Sequence, residues 1–340
     1  MRQLTLARRW PFAAGLVPGR SASGLLAALA SPKWMLAFFV FAAISAVVSM
    51  EHPDWVTPVW MLPLGIFCLS LLAAMATNPR LRSDLPLLGL HLGLFAMIVL
   101  FAAARLTYLD GHVSLERGQS FNGKLDIAEQ GPWHFGKLAQ LRFANDGFEE
   151  TFRPGERWEV TANRVHWWND TGQRQSASIG EARPLLMSGY RIYTTFNRGF
   201  SVHFQWENAA GEVELGNVQL RPGEHDLANE WRLPNGFKVW AMLQPQESLQ
   251  IRPGESRRNL GVGTLGHRLV IRHGEQRHVI ARGESLELPG GRLTYRKLDT
   301  WMGYRLVFDP TVHWLGAAGL FSVLCMVVYY GRLFIRKRTT

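Results

Sequence analysis

The sequence predicts a membrane protein with four transmembrane α-helices. Between the third and fourth it predicts a large all-β, antiparallel, sandwich- or meander-like extracytoplasmic domain. Three observations lead there. Four stretches free of Asp, Glu, Lys and Arg are each about as long as the roughly 20 residues needed to cross a bilayer. Roughly 200 residues of ordinary soluble composition, a normal domain size, separate the third from the fourth. The excess positive charge is confined to short flanks of the apolar stretches.

Residues 1–33 include "GRSASGLLAALASPK". A short helix lying on the membrane surface fits this segment, and so does a partly disordered lead-in. Residues 34–106 hold three spans: "WMLAFFVFAAISAVVSM" (34–50), "VTPVWMLPLGIFCLSLLAAMAT" (56–77) and "LPLLGLHLGLFAMIVLFAAA" (85–104). The small residues closing the first also suit a signal peptide. The long lead-in and the immediate second and third spans favour a retained helix.

Residues 107–310 alternate strand-length apolar runs with glycine-containing turns, as in "VQLRPGEHDL" and "LQIRPGESR". Arg-Pro-Gly-Glu recurs from Arg153, Arg221 and Arg252. Pro followed by Gly is what a type II turn requires, because Gly takes a positive φ cheaply. The uneven spacing speaks for reused turn chemistry and not for a solenoid. No long run has helical periodicity, so an antiparallel β-domain is expected. The fourth span is "TVHWLGAAGLFSVLCMVVYYG" (311–331), and 332–340 is a basic tail.

The net charge of +10 would suit a nucleic-acid partner if it were spread over the large domain. It is not. Arg2, Arg8, Arg9, Arg20 and Lys33 precede the first span, Arg80 and Arg82 sit between the second and third, and Arg332, Arg336, Lys337 and Arg338 follow the fourth. Residues 106–310 hold 25 basic against 24 acidic residues. Positive flanks face the cytoplasm, which puts both termini and the 78–84 loop inside and the β-domain outside. No nucleic-acid partner is expected. Both cysteines, Cys68 and Cys325, fall within spans, so the β-domain carries neither a disulfide nor thiol chemistry of its own.

His91 is the residue that needs a reason. An imidazole in hydrocarbon has a donor and an acceptor to satisfy, each worth several kcal/mol if unmet. Three jobs fit: a proton relay, an inter-helix hydrogen bond, or axial ligation of a metal in a macrocycle. A relay needs further titratable groups, and no span supplies an Asp, Glu or Lys. A b-type electron carrier needs a pair of buried histidines, and His313, near the outer end of the fourth span, lies at a different depth from His91. His52 and His112 read as ordinary interfacial residues. "VHWWND" (165–170) reads as packing or a strand edge. His273 and His278 in "IRHGEQRHVI" read as a solvated hairpin, lacking a third metal ligand.

Four segments carry a family resemblance: "LLAALASPKWMLAFFVFAAISAVVS", "HLGLFAMIVLFAAARLTYLDGHVSLERGQSF", "SGYRIYTTFNRG" and "GYRLVFDPTVHWLGAAGLFSVL". Together they resemble the ResB (also called CcsB) family of system II cytochrome c biogenesis. The shared features are a His-Leu-Gly-Leu opening to the third span, a Gly-Tyr-Arg strand and an Asp-Pro entering the last span. The likeness covers all four spans and both edges of the large domain; it is weak over 122–185 and 205–290.

The resemblance implies a bacterial cytoplasmic-membrane subunit with a periplasmic β-domain. It would work with a polytopic ResC/CcsA-like partner, moving heme across the membrane and presenting it to apocytochrome c. His91 matches the transmembrane heme ligand, so it would hold heme b iron jointly with a partner histidine, transiently or residently. His313, by its place at the outer boundary, reads first as an interfacial cap beside Trp314, with contact to heme or the partner at the outer face as its sharper role. Reduction of the apocytochrome thiols would fall to a thioredoxin-like protein. Thioether formation would lie mainly in the partner, leaving this chain an accessory subunit with no catalytic residue of its own. The reading from another class is a structural anchor whose β-domain recruits apoprotein or partner without touching heme.

Overall fold

The computed structural model describes residues 22–153, 157–169, 171–180, 182–220, 229–245, 258–260 and 266–338. The chain divides into two units, Met1–Leu106 with Thr311–Thr340, and Thr107–Pro310.

The first unit is helical: α1 (Ala22–Leu29), α2 (Lys33–Glu51), α3 (Val56–Thr77), α4 (Pro79–Ser83), α5 (Leu85–Thr107) and α6 (Val312–Arg338). Four segments are long and apolar enough to cross a membrane: Lys33–Glu51, Pro53–Thr77, Leu85–Thr107 and Val312–Ile335. α5 and α6 run past the ends expected at 104 and 331. Backbone hydrogen bonding decides where a helix stops, and Arg and Lys are good helix formers. The basic segment from 332 is helical as far as Arg338. The connection at 78–84, expected as a loop, contains α4. Asn78 caps it by accepting the Arg80 N–H at 3.0 Å, with Pro79 in the first turn.

Two side-chain hydrogen bonds run between α2 and α3, the kind of link that joins helices in an apolar medium. Ser45 Oγ donates to Val59 O at 2.9 Å, and Trp60 Nε1 donates to Ser49 Oγ at 3.0 Å, tying α2 to α3. Leu71 and Met75 of α3 and Leu81 of α4 form a small core with Leu87, Leu88, Phe95 and Ile98 of α5.

The second unit is β throughout, as the alternation of apolar and polar residues predicts. Its strands are β1 (Leu109–Glu116), β2 (Ile127–Gln130), β3 (Ala144–Arg153), β4 (Arg157–Trp168), β5 (Arg174–Ile179), β6 (Leu185–Met187), β7 (Tyr190–Asn208), β8 (Val213–Leu220), β9 (Glu230–Arg232), β10 (Lys238–Pro245), β11 (Arg258–Leu260), β12 (His267–His273), β13 (Gln276–Ile280), β14 (Ser285–Leu288) and β15 (Gly291–Phe308). Every described pairing between these strands is antiparallel. The Arg-Pro-Gly-Glu turns expected after Arg153, from Arg221 and from Arg252 lie outside the described residues.

This unit is not one sandwich. The long strands β7 and β15 pair along almost their whole length and form a spine, flanked by β1, β2, β6, β8 and β14. At one end the spine shares a core with the sheet β11-β3-β4-β5, through Tyr190, Ile192, Tyr304 and Leu306 against Phe148, Val165 and Ile179. At the other it shares a core with β13-β12-β10-β9, through Val202, Phe204, Leu293 and Tyr295 against Val239, Leu269 and Ile271. Long strands read as separate shorter ones in sequence because polar breaks interrupt them. Register shifts at Tyr295/Lys297 and Met302/Tyr304 mark bulges in the β7–β15 pairing, which turn and twist a strand without ending it.

A buried polar network fixes the first core. Tyr304 donates its hydroxyl to Asn163 Oδ1 at 2.8 Å. Asn163 Nδ2 donates to Asn145 Oδ1 (2.9 Å) and Gly147 O (3.0 Å). Asn145 Nδ2 reaches Leu115 O at 2.9 Å. The chain of bonds thus joins β15, β4, β3 and β1, and each buried group has a partner, which is what such a network needs to be stabilising.

Candidate functional site

α5 opens Leu-Pro-Leu-Leu-Gly-Leu-His-Leu-Gly, so His91 stands midway between Gly89 and Gly93. Two glycines four apart lie on one face of a helix and let another backbone come close. Here α6 takes that place. A Cβ on Gly89 would sit 2.6 Å from Cys325 Sγ, and one on Gly93 only 2.1 Å from Ser322 Oγ. His91, two residues from each, is turned by about 200° at 3.6 residues per turn. It lies on the opposite face, on the ridge of Leu87 and Phe95, both of which pack toward Leu71, Met75 and Leu81.

The imidazole is half-buried, and Nδ1 lies 2.7 Å from the carbonyl oxygen of Leu87. A carbonyl oxygen only accepts, so Nδ1 carries the proton. Nε2 makes no hydrogen bond among the described residues. It is left with its lone pair in the plane of a ring whose rotation is restrained. That is the form in which histidine ligates a metal, the second nitrogen bonded to a carbonyl and the first free. The inter-helix hydrogen bond considered from the sequence is not formed: the bond stays within α5. Since Gly89 and Gly93 meet Cys325 and Ser322, His91 is level with the middle of α6. His313, exposed at the start of α6, is about ten residues earlier, or about 15 Å along the axis. The two do not come together. The residues present therefore fit one half of a bis-imidazole heme site.

The other sequence candidates resolve into local structure. His273 and His278 stack face to face in the β12–β13 hairpin, centroids 5.3 Å apart and 6° from parallel. Among the described residues no group of three or more His, Cys, Asp or Glu is arranged to hold a metal ion. In "VHWWND", Val165 is in the core, His166 donates from Nδ1 to Asp146 at 2.7 Å, and Trp168 meets His166 edge-on. His112 lies 3.8 Å from Asp110, which is also the partner of Arg305. The Asp110 pair and its hydrogen bonds hold the Arg305 guanidinium pKa up.

Three of the segments that carry the resemblance are neighbours in space. Leu109 of β1 is opposite Phe308 of β15, and Phe308 is opposite Tyr190 of β7. Tyr190 is placed by a two-residue turn, Ser188-Gly189, with both φ positive, the geometry that matches strand twist. Comparison of the whole chain with known protein families finds no match, and neither does comparison with curated proteins.

Sequence reasoning missed two features. The first is the glycine pair around His91, legible as Gly-x-x-x-Gly and decisive for where the imidazole points. The second is a cluster in the β-domain. Ser201 Oγ (2.5 Å) and Asn217 Nδ2 both donate to Glu116, and His203 Nε2 lies 3.4 Å from its other oxygen. It borders a cavity of about 500 Å³ that Arg282, Arg296 and Lys297 also line. Strands β1, β7, β8 and β15 supply these groups from positions far apart in the chain, so no local motif announces them.

Proposed function

We propose that this chain is the heme-handling accessory subunit of a system II-type cytochrome c biogenesis complex in the bacterial cytoplasmic membrane, with both termini cytoplasmic and the β-domain periplasmic. The observation that carries the reading is the state of His91: proton held on Nδ1 by Leu87, Nε2 free, face turned away from α6. A brace between helices would spend its nitrogens on a neighbouring helix; His91 spends one on its own and keeps the other. The resemblance to the ResB/CcsB family supports the same role.

In this reading His91 would hold heme iron jointly with a histidine of a polytopic ResC/CcsA-like partner, since the nearest candidate on this chain, His313, is a long way along α6. Heme, when bound, supplies an iron centre able to accept two imidazole nitrogens. Gly89 and Gly93 set the azimuth of His91 by seating α5 on α6. The Leu87 carbonyl fixes the tautomer and orients the ring, as a hydrogen-bond acceptor behind a ligating histidine does. His313 serves as a contact at the outer face. The β-domain, nearly neutral, meets apocytochrome c or the partner by shape and hydrogen bonding. The two thiols of the chain lie in α3 and α6, so reduction of apocytochrome falls to a separate thioredoxin-like protein, and thioether formation to the partner.

The test is chemical rescue. His91→Gly in the complex should lose membrane heme while the two chains still purify together, and added imidazole should restore part of it. Loss of the complex itself, with no response to imidazole, would favour a structural anchor that never binds heme.

A further inference from the structure

The segment Gly131-Pro-Trp-His-Phe-Gly136 follows β2 and is held at three points. The Gly131 N–H donates to Tyr108 O at 2.9 Å. In the middle, His134 is bonded through both nitrogens: Nδ1 to Thr107 O at 3.0 Å and Nε2 to Tyr190 Oη at 2.9 Å. Thr107 O only accepts, so Nδ1 bears a proton, and with Nε2 bonded to the phenol both ring nitrogens are satisfied. At the far end Gly136 has no room for a side chain, since a Cβ would lie 2.3 Å from Tyr190 Oη. Next to it, Leu138 packs on the first core.

Clamping the central histidine inward turns its two neighbours outward. Trp133 is 66% and Phe135 is 64% exposed. Two large aromatics two residues apart, on a loop this firmly held, are not the product of a slack surface; the fold spends three anchors on presenting them. What they are presented to follows from where the anchors are. Thr107 is the last residue of α5. Phe308, on which the rings of both His134 (5.0 Å) and Phe135 (5.3 Å) rest edge-on, is the last residue of β15. α6 begins four residues later, at Val312, a reach of at most about 14 Å even fully extended. The loop is thus bonded to the exit of one candidate span and packed on the approach to another. Residues at the ends of membrane spans lie near the lipid headgroups, where Trp and other aromatic rings with an apolar body are favoured. Leu186, 70% exposed on β6, stands beside the same strand ends, and the exposed Lys137 follows the loop.

We infer that the Trp133–Phe135 loop is a membrane anchor of the β-domain, its two rings seated in the headgroup layer of the leaflet from which α5 and α6 emerge. The anchor is independent of heme: it steadies the base of the domain against the bilayer. A contact with a partner protein is the competing occupant.

The experiment uses the full chain with Cys68→Ala and Cys325→Ala, reconstituted alone in vesicles of phosphatidylethanolamine and phosphatidylglycerol. A spin label is placed at Trp133→Cys, at Phe135→Cys, or, as control, at Leu215→Cys on β8, which is 77% exposed and far along the sheet. Collision rates are measured with molecular oxygen, which concentrates in lipid, and with a water-soluble nickel chelate. Labels at 133 and 135 should show a several-fold higher oxygen-to-nickel ratio than the label at 215. Equal ratios at all three sites overturn the proposal, as does protection from nickel that arises only when the polytopic partner is added. A second variant checks the clamp: adding His134→Ala to the 133-labelled chain should bring its ratio toward that of the control, and an unchanged ratio contradicts the placement of the rings by His134.

Discussion

Nδ1 of His91 lies 2.7 Å from the carbonyl oxygen of Leu87, one turn earlier in the same helix. The bond that steadies the ring is therefore local, and nothing in the packing between helices depends on it. His91→Leu should leave the yield and thermal stability of the chain within about 1 kcal/mol of the parent, since the bond lost is a single neutral one. Thermal melting in detergent, followed by circular dichroism, checks this. A drop of several kcal/mol would mean that the imidazole holds helices together.

Gly93 lies so close to Ser322 of α6 that a Cβ there would sit 2.1 Å from the serine Oγ. Gly93→Val should destabilise this packing by about 1–3 kcal/mol, the usual cost of overfilling a packed site. Ser322→Ala should recover part of it, because the nearest obstacle is the serine hydroxyl. A double-mutant cycle on the two positions measures the coupling, and additive effects would mean that α5 and α6 do not meet there.

Tyr304 and Asn163 close the network that ties four strands together. Tyr304→Phe removes one donor and leaves Asn163 Oδ1 short of a partner, which should cost about 1–3 kcal/mol. Asn163→Leu removes three hydrogen bonds at once, to Tyr304, Asn145 and Gly147, and should cost more. Chemical denaturation of the full chain separates the two; equal and negligible losses would show that the network does not stabilise the fold.

Burial pushes the phenols of Tyr190 and Tyr295 up to about 12, and that of Tyr304 higher still. Small opposing effects come from a hydrogen bond with the Leu138 backbone on Tyr190 and from the Arg282 charge on Tyr295. A phenol with a raised folded value stabilises the fold while it stays protonated. Its contribution is whole below the unfolded value near pH 10 and is lost as pH climbs through about 12. The β-domain should therefore hold to about pH 10 and lose stability from there to about pH 12. Tyrosinate absorbance and circular dichroism should change together in an alkaline titration. All seven tyrosines ionising near pH 10 with the strand signal intact would contradict it.

Much of this was legible in the sequence for physical reasons. Apolar runs without charge identify the spans because lipid tolerates nothing else, and the antiparallel character of 107–310 follows from alternation and turn residues. The two-core plan was not legible. β7 and β15 owe their length to continuous pairing across bulges, and pairing between Leu293 and Trp206, or Phe308 and Tyr190, is a property of distant residues. His91 stood out as the one imidazole deep in a charge-free helix; its azimuth was hidden until Gly89 and Gly93 were seen against α6. His134 drew no notice at all, since both of its partners, Thr107 and Tyr190, are tens of residues away.

The central claim is that His91 ligates heme iron jointly with a second chain. Its most direct test is the absorption spectrum of this chain purified together with its polytopic partner, with His91 intact and with His91→Gly. The account predicts Soret and α bands of six-coordinate, bis-imidazole heme in the parent and their loss in the variant, with both chains still present. Identical spectra in the two preparations, or no heme in either, would contradict it.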